Sequence, residues 1–278
     1  MHPILKDFGF VDLPFWGPTH LFVPTYGVLF AGAVVLAWAW FLRRARRLGI
    51  AEERLFNLTF FSLLTGIFGA KLLLIAVDWE QYLAHPAEIL GTIRSAGVLL
   101  GGVAAGALTF AIYARRHGLP LWPLADAIAA PLALAQAVGR FGCFSGGCCW
   151  GIPVDPGHWL AVVFESEEAR ELTGVPLHDP RLAIQLVEAG FDLALAAALT
   201  LLGRRRVQPA GTVFWIYALV YGIGRAFLEQ GRGDPQRGLY FGGAVSTSQL
   251  LSLVVAILAV AMLVRGLVLR RNARLSSA

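Results

Sequence analysis

Two arginine clusters are the residues of this sequence best suited to chemistry. One is Arg140 in G-R-F-G-C-F-S-G-G-C-C-W-G, Gly139 to Gly151. The other runs through Tyr221, Gly222, Arg225, Glu229 and Arg232, spaced so that one helical face carries the polar groups. A guanidinium offers five donors in a planar fork that matches phosphate oxygens. Glu229 lies at i+4 from Arg225, where a carboxylate orients the arginine and offsets the cost of removing it from water. Taken singly, Arg140 reads equally as an interfacial snorkel and the Arg225/Glu229 pair as a purely structural ion pair. Two arginine sites on one side of a membrane favour an anionic ligand, and a phospholipid headgroup is the obvious anion there.

Less specific signals accompany them. Gln185 and Glu188 open the fifth apolar segment, and Lys71 and Asp126 lie within the second and fourth. Tyr26 with Gly27 sits at the start of the first, where tyrosine also occurs simply as part of an aromatic belt. Cys143, Cys148 and Cys149 are too few and too close for a disulfide framework. Zinc would want a second, distant ligand pair, which is missing, so the cysteines read as small packing residues in a tight loop with scope for one disulfide. No metal is expected.

The elements that position these groups are membrane helices. Apolar residues make up 57% of the chain and charged residues 15%, and mean hydropathy is +0.65, which excludes an ordinary soluble domain. A hydrocarbon core of about 30 Å needs about 20 apolar residues per helix. Seven such runs occur: Pro24 to Leu42, Phe56 to Val77, Ala96 to Tyr113, Leu121 to Val138, Leu182 to Leu202, Ala210 to Leu228 and Leu250 to Leu269. The expectation is an all-α polytopic protein forming a single transmembrane domain over residues 1–278.

Net charge is +5, but the basic residues gather at segment ends, which argues for topology and against nucleic acid. Arg43, Arg44, Arg46, Arg47 and Arg54 follow the first run, Arg115 and Arg116 the third, Arg204 to Arg206 the fifth, and Arg270, Arg271 and Arg274 the seventh. Those ends are cytoplasmic by the positive-inside rule, as is the C-terminus. The N-terminus and the segment 139–181 are then periplasmic. Residues 1–23 carry Phe8, Phe10, Phe15 and Trp16 and read as an interfacial arm without a cleavable signal peptide. Residues 139–181 read as a re-entrant segment and loop, because irregular backbone at membrane depth must line a cavity or be buried in protein. Gly97, Gly101, Gly102 and Gly106 form a small-residue face suited to close packing, or to a lipid approaching the backbone.

Gly139 to Gly151 and the Y-G-x-x-R-x-x-x-E-x-x-R pattern at 221–232 together resemble the bacterial phosphatidylglycerol–prolipoprotein diacylglyceryl transferases. Tyr26-Gly27, Lys71, Gly101-Gly102, Asp126 to Pro131, Gln185 with Glu188, and Ser248-Gln249 extend the resemblance over most of the chain. It implies a seven-helix enzyme of the bacterial inner membrane, its partners being membrane phosphatidylglycerol and a prolipoprotein signal peptide bearing a lipobox cysteine. The diacylglyceryl group would pass to that thiol, forming a thioether and releasing glycerol phosphate, without a cofactor.

Carried over by position, Arg140 and Arg225 would hold the phosphate and Glu229 would orient Arg225. Tyr26, Cys143, Gly151, Gln185, Glu188, Tyr221 and Arg232 would line the substrate site. The chain departs from the family where Leu100 stands in a histidine or tyrosine place, Cys143 in an asparagine place, and Leu182 and Val187 in the histidine and tyrosine places of H-P-x-Q-L-Y-E. His178 could stand in only if its loop shifted. The group that takes the thiol proton is therefore unassigned, and a silent relative that binds anionic lipid or lipoprotein is the alternative.

Overall fold

The computed structural model describes residues 2–13, 17–92, 97–204, 209–234, 238–240 and 245–276. Pro14, Phe15, Trp16, Ala96, Arg205 and Arg206 lie outside the described residues, as do the side chains of Arg271 and Arg274.

Helix formation follows the apolar runs. The long helices are α1 (Thr25–Ala45), α2 (Glu52–Val77), α5 (Leu99–Arg116), α6 (Leu121–Gly146), α8 (Ile184–Leu202), α9 (Thr212–Leu228) and α10 (Thr247–Ser276). Short helices α3 (Trp79–Ala84), α4 (Glu88–Gly91) and α7 (Glu167–Thr173) lie between them. Charges at the ends suit the helix dipole: Glu52 and Glu53 open α2, and Arg43 and Arg44 close α1. Among the described residues, five helices are long and apolar enough to cross a membrane: Thr25–Leu48, Glu52–Val77, Leu121–Gly146, Ile184–Leu202 and Thr247–Arg270. Two of them, α2 and α10, carry exposed Phe60, Ile67, Phe68, Leu72, Ile257 and Leu267, an apolar surface suited to lipid. The chain is a polytopic membrane protein.

Two expectations are corrected. The protein is mostly helical, not all-α, because three antiparallel strand pairs among the described residues join the helices: β1 (Ile4–Leu13) with β2 (Gly17–Pro24), β3 (Ala161–Val162) with β4 (Arg181–Leu182), and β5 (Leu239–Tyr240) with β6 (Val245–Ser246). The N-terminal arm is the first of these hairpins, with β-prone residues pairing and Asp7 meeting His20 across it at 2.9 Å. Secondly, α6 does not end before Gly139 but runs through Arg140 to Gly146, so Arg140 projects from a helix. The tight turn begins only at Gly147.

The described chain forms two compact units, Met1–Trp40 with Ala125–Ala278, and Phe41–Leu124. The second unit is built on α2 and α5. A Cβ on Gly69 would lie 2.5 Å from the Gly101 carbonyl oxygen, and one on Gly101 would lie 2.3 Å from that of Gly69, so the two backbones touch where only glycine fits. The small-residue face of α5 is therefore occupied by a helix.

In the first unit, α6, α8 and α9 meet over a core of Ala129, Ala130, Ala133, Leu195, Ala196, Leu199 and Val213. Alanines on α6 let the three helices approach closely. Asp126 fixes the start of α9, accepting from the backbone N–H groups of Gly211 at 2.7 Å and Phe214 at 2.9 Å. Residues 147–181 form their own small core of Trp150, Phe164, Ala169 and Val175.

Candidate active site

Glu188 on α8 is the centre of the polar cluster. Its Oε2 lies 3.2 Å from Arg140 Nε, and its Oε1 3.2 Å from Arg225 Nη1. One carboxylate thus bridges the two arginines singled out in the sequence. Arg225 Nη2 also meets Glu229 Oε2 at 2.5 Å, the i,i+4 pair expected from spacing. Glu188 and Glu229 are each only 2% exposed, so this is a desolvated network in which each charge depends on its partners.

Arg232 completes the cluster from the segment after α9. It lies 4.0 Å from Glu229 and makes a two-pronged bond to Asp234, Nε to Oδ1 at 2.9 Å and Nη2 to Oδ2 at 2.7 Å. Burial is the largest single influence and opposes the Arg232 charge, but the Asp234 hydrogen bond together with the negative charges of Asp234 and Glu229 holds the pKa above the usual arginine value.

The backbone at Arg232 is paired with Gly151. Ile152 N–H donates to Gly231 O at 3.0 Å, and Gly233 N–H to Trp150 O at 2.9 Å. A Cβ on Gly151 would lie 2.3 Å from Leu182 O, which explains the glycine without a ligand role. Leu182, in the family's histidine place, packs here against Gly231.

Gln185, fully buried, donates from Nε2 to Cys148 O at 2.9 Å and ties the turn after α6 to α8. Tyr221 stacks on Tyr217 with ring centres 5.7 Å apart, and Tyr217 donates to Gln136 Oε1 at 3.0 Å. A small cavity is lined by Arg140, Glu188, Phe191, Asp192, Tyr221, Arg225 and Leu228. Tyr26 packs against α6 at Gly142, where a Cβ would lie 3.2 Å from its ring, and Cys143 follows next in the chain.

The structure thus gathers Arg140, Glu188, Tyr221 and Arg225 around one cavity, with Glu229, Arg232, Gln185 and Gly151 supporting it. Other residues fall elsewhere. Asp126 caps α9, and Lys71 donates to the Thr92 carbonyl within its own unit. His178 is exposed, with its backbone N–H held by Phe164 O at 3.0 Å. Asp192, which the sequence reading did not single out, lines the cavity, is 3% exposed, and has no hydrogen-bond partner for Oδ1 among the described residues. Its signal is an acidic residue inside an apolar helix, one turn after Glu188. Asp234 was likewise missed.

Chemically, the cluster can hold an anion in a site screened from water.

Comparison with known proteins identifies a family. The sequence model of the family described as prolipoprotein diacylglyceryl transferase matches residues 17–265. The chain is 31% identical over 233 residues to phosphatidylglycerol–prolipoprotein diacylglyceryl transferase 2 of Clostridium perfringens, covering 84% of this chain and 87% of that one. It is 32% identical over 235 residues to the transferase of Clostridium tetani, covering 84% and 90%. With that of Synechococcus elongatus it shares 32% over 252 residues, covering 87% and 82%.

Proposed function

Because the chain belongs to the prolipoprotein diacylglyceryl transferase family, we propose that it transfers the diacylglyceryl group of phosphatidylglycerol to the lipobox cysteine thiol of a prolipoprotein. The products are a thioether and glycerol phosphate. The observation that carries this reading is the bridge of buried Glu188 between Arg140 and Arg225 beside a small cavity. A surface ion pair would need no such arrangement.

The lipid phosphate sits against Arg140 and Arg225. As the thiol sulfur attacks the glyceryl carbon, the carbon–oxygen bond breaks and negative charge grows on the departing phosphate. Guanidiniums already in place stabilise that charge without reorganising, which lowers the barrier. Glu188 and Glu229 keep both forks oriented, Tyr221 lines the headgroup pocket, and Arg232, Gln185 and Gly151 hold the wall. Tyr26 and Cys143 border the thiol side. The nucleophile comes from the substrate, so the protein need supply none of its own.

The same reading has seven spans in the bacterial inner membrane, with the N-terminus periplasmic and the C-terminus cytoplasmic. Support comes from α5 and α9, whose helices coincide with the two remaining apolar runs, and from Arg115 and Arg116 in the last turn of α5. The test is purified protein with phosphatidylglycerol and a lipobox peptide, read by mass spectrometry. A thioether product is expected. Its absence in a protein that binds the lipid normally would refute the reading.

A further inference from the structure

The sulfur atoms of Cys143, Cys148 and Cys149 all lie within 4.8 Å of one another, and all three are free thiols. Three sulfurs around a tetrahedral zinc, at Zn–S of about 2.3 Å, stand roughly 3.8 Å apart, so only a small contraction separates this cluster from a ligand set. We infer that Cys143, Cys148 and Cys149 form a zinc site whose fourth position takes the thiol of the incoming lipobox cysteine. The inference rests on the transferase reading.

Four features support it. The ligand turn is held from several sides: Cys148 N–H donates to Cys143 O at 3.0 Å, Gln185 to Cys148 O at 2.9 Å, and Thr173 Oγ1 to Gly147 O at 2.9 Å. Cys149 adopts φ 59°, a left-handed conformation that an L residue avoids unless its surroundings impose it. Cys143 is buried whereas Cys148 and Cys149 are half-buried, so the cluster has an open side. Cys143 stands three residues after Arg140 on α6, on the same helix face, which sets the sulfurs beside the phosphate site.

Three protein ligands with an open position are the pattern of catalytic rather than structural zinc, and thiolates suit this ion. The site would also supply what Leu100 and Leu182 do not. A thiol that binds zinc gives up its proton to water and becomes a thiolate. Its sulfur electron pair forms the C–S bond to the glyceryl carbon. The C–O bond breaks, and its electrons leave on the phosphate oxygen held by Arg140 and Arg225. One proton is released per turnover, and nothing is oxidised or reduced. The neutral thioether is a weaker ligand and departs.

The test uses full-length protein in detergent. Elemental analysis is expected to find about one zinc per chain, lost in Cys143→Ser, Cys148→Ser and Cys149→Ser. Cobalt(II) exchanged for zinc should show thiolate charge-transfer absorption that rises with a lipobox peptide and is unchanged by the same peptide with its cysteine replaced by serine. This comparison varies the peptide alone, so it stands even if a protein variant misfolds. Removing zinc should slow thioether formation by about 100-fold or more. Metal-free protein, or protein with two of these cysteines joined as a disulfide, that turns over at the full rate overturns the zinc site and leaves the transferase reading standing. Zinc bound without any spectral response to the cysteine peptide also overturns it. A peptide-dependent spectrum without thioether product supports the site and sinks the transferase reading instead.

Discussion

Arg225 Nη1 and Glu188 Oε1 meet at 3.2 Å between α9 and α8, although 37 residues separate them in the chain. Both side chains are buried, and the same carboxylate reaches Arg140 on α6. Three helices are thus pinned by one acidic residue at the site proposed to hold phosphate.

Removing that residue should damage both stability and turnover. Glu188→Ala leaves two buried guanidiniums without their shared partner, a change that typically costs about 3 to 5 kcal/mol. Thermal unfolding in detergent should show a clear drop in melting temperature, with thioether formation largely lost. A variant with wild-type melting and turnover would show that the bridge is dispensable.

Lysine should not replace either arginine. At Arg225 a single ammonium cannot reproduce the fork that meets Glu188 and Glu229 through different nitrogens. Arg140→Lys and Arg225→Lys should each lower kcat by about 100-fold to 1000-fold. Initial rates at saturating lipid check this, and rates within a few-fold of wild type would remove the fork from the chemistry.

Glycine need divides the 139–151 motif. Gly151→Ala forces a methyl against the Leu182 carbonyl, whereas a Cβ on Gly139 meets nothing within 4 Å. Gly151→Ala should destabilise by about 1 to 3 kcal/mol and disturb the pairing with Arg232, while Gly139→Ala should melt like wild type. Parallel melting curves decide, and equal behaviour of the two variants would contradict the packing.

Asp126 offers a contrast between stability and chemistry. Asp126→Ala removes two acceptors from the N-terminus of α9, worth about 1 kcal/mol for a helix cap. Melting temperature should fall by a few degrees while kcat of the folded enzyme is unchanged. A large loss of kcat at normal stability would give Asp126 a role in the reaction.

Much of this arrangement is legible in sequence, for local reasons. Hydropathy marks the long helices because lipid demands continuous apolar runs, and the Arg225/Glu229 pair follows from helical spacing. The central place of Glu188 does not follow, since its partners lie 48 and 37 residues away and only helix packing joins them. Gly139 and Gly142 resemble helix breakers, yet α6 continues through both, and Tyr26 packs where Gly142 leaves the helix slim. The N-terminal hairpin is hidden because aromatics at an interface and β-prone aromatics have the same composition. Asp192 obeys the rule that a charge in an apolar helix has a purpose, but its cavity is visible only in three dimensions.

The most direct measurement compares wild type, Arg140→Ala and Arg225→Ala, each reconstituted with phosphatidylglycerol and a lipobox peptide and read for thioether by mass. Expected is product from the wild type and none from either variant, with all three inserted in the membrane and equally helical. Robust product from both arginine variants would contradict the assignment of Arg140 and Arg225 as the residues that hold and release the phosphate.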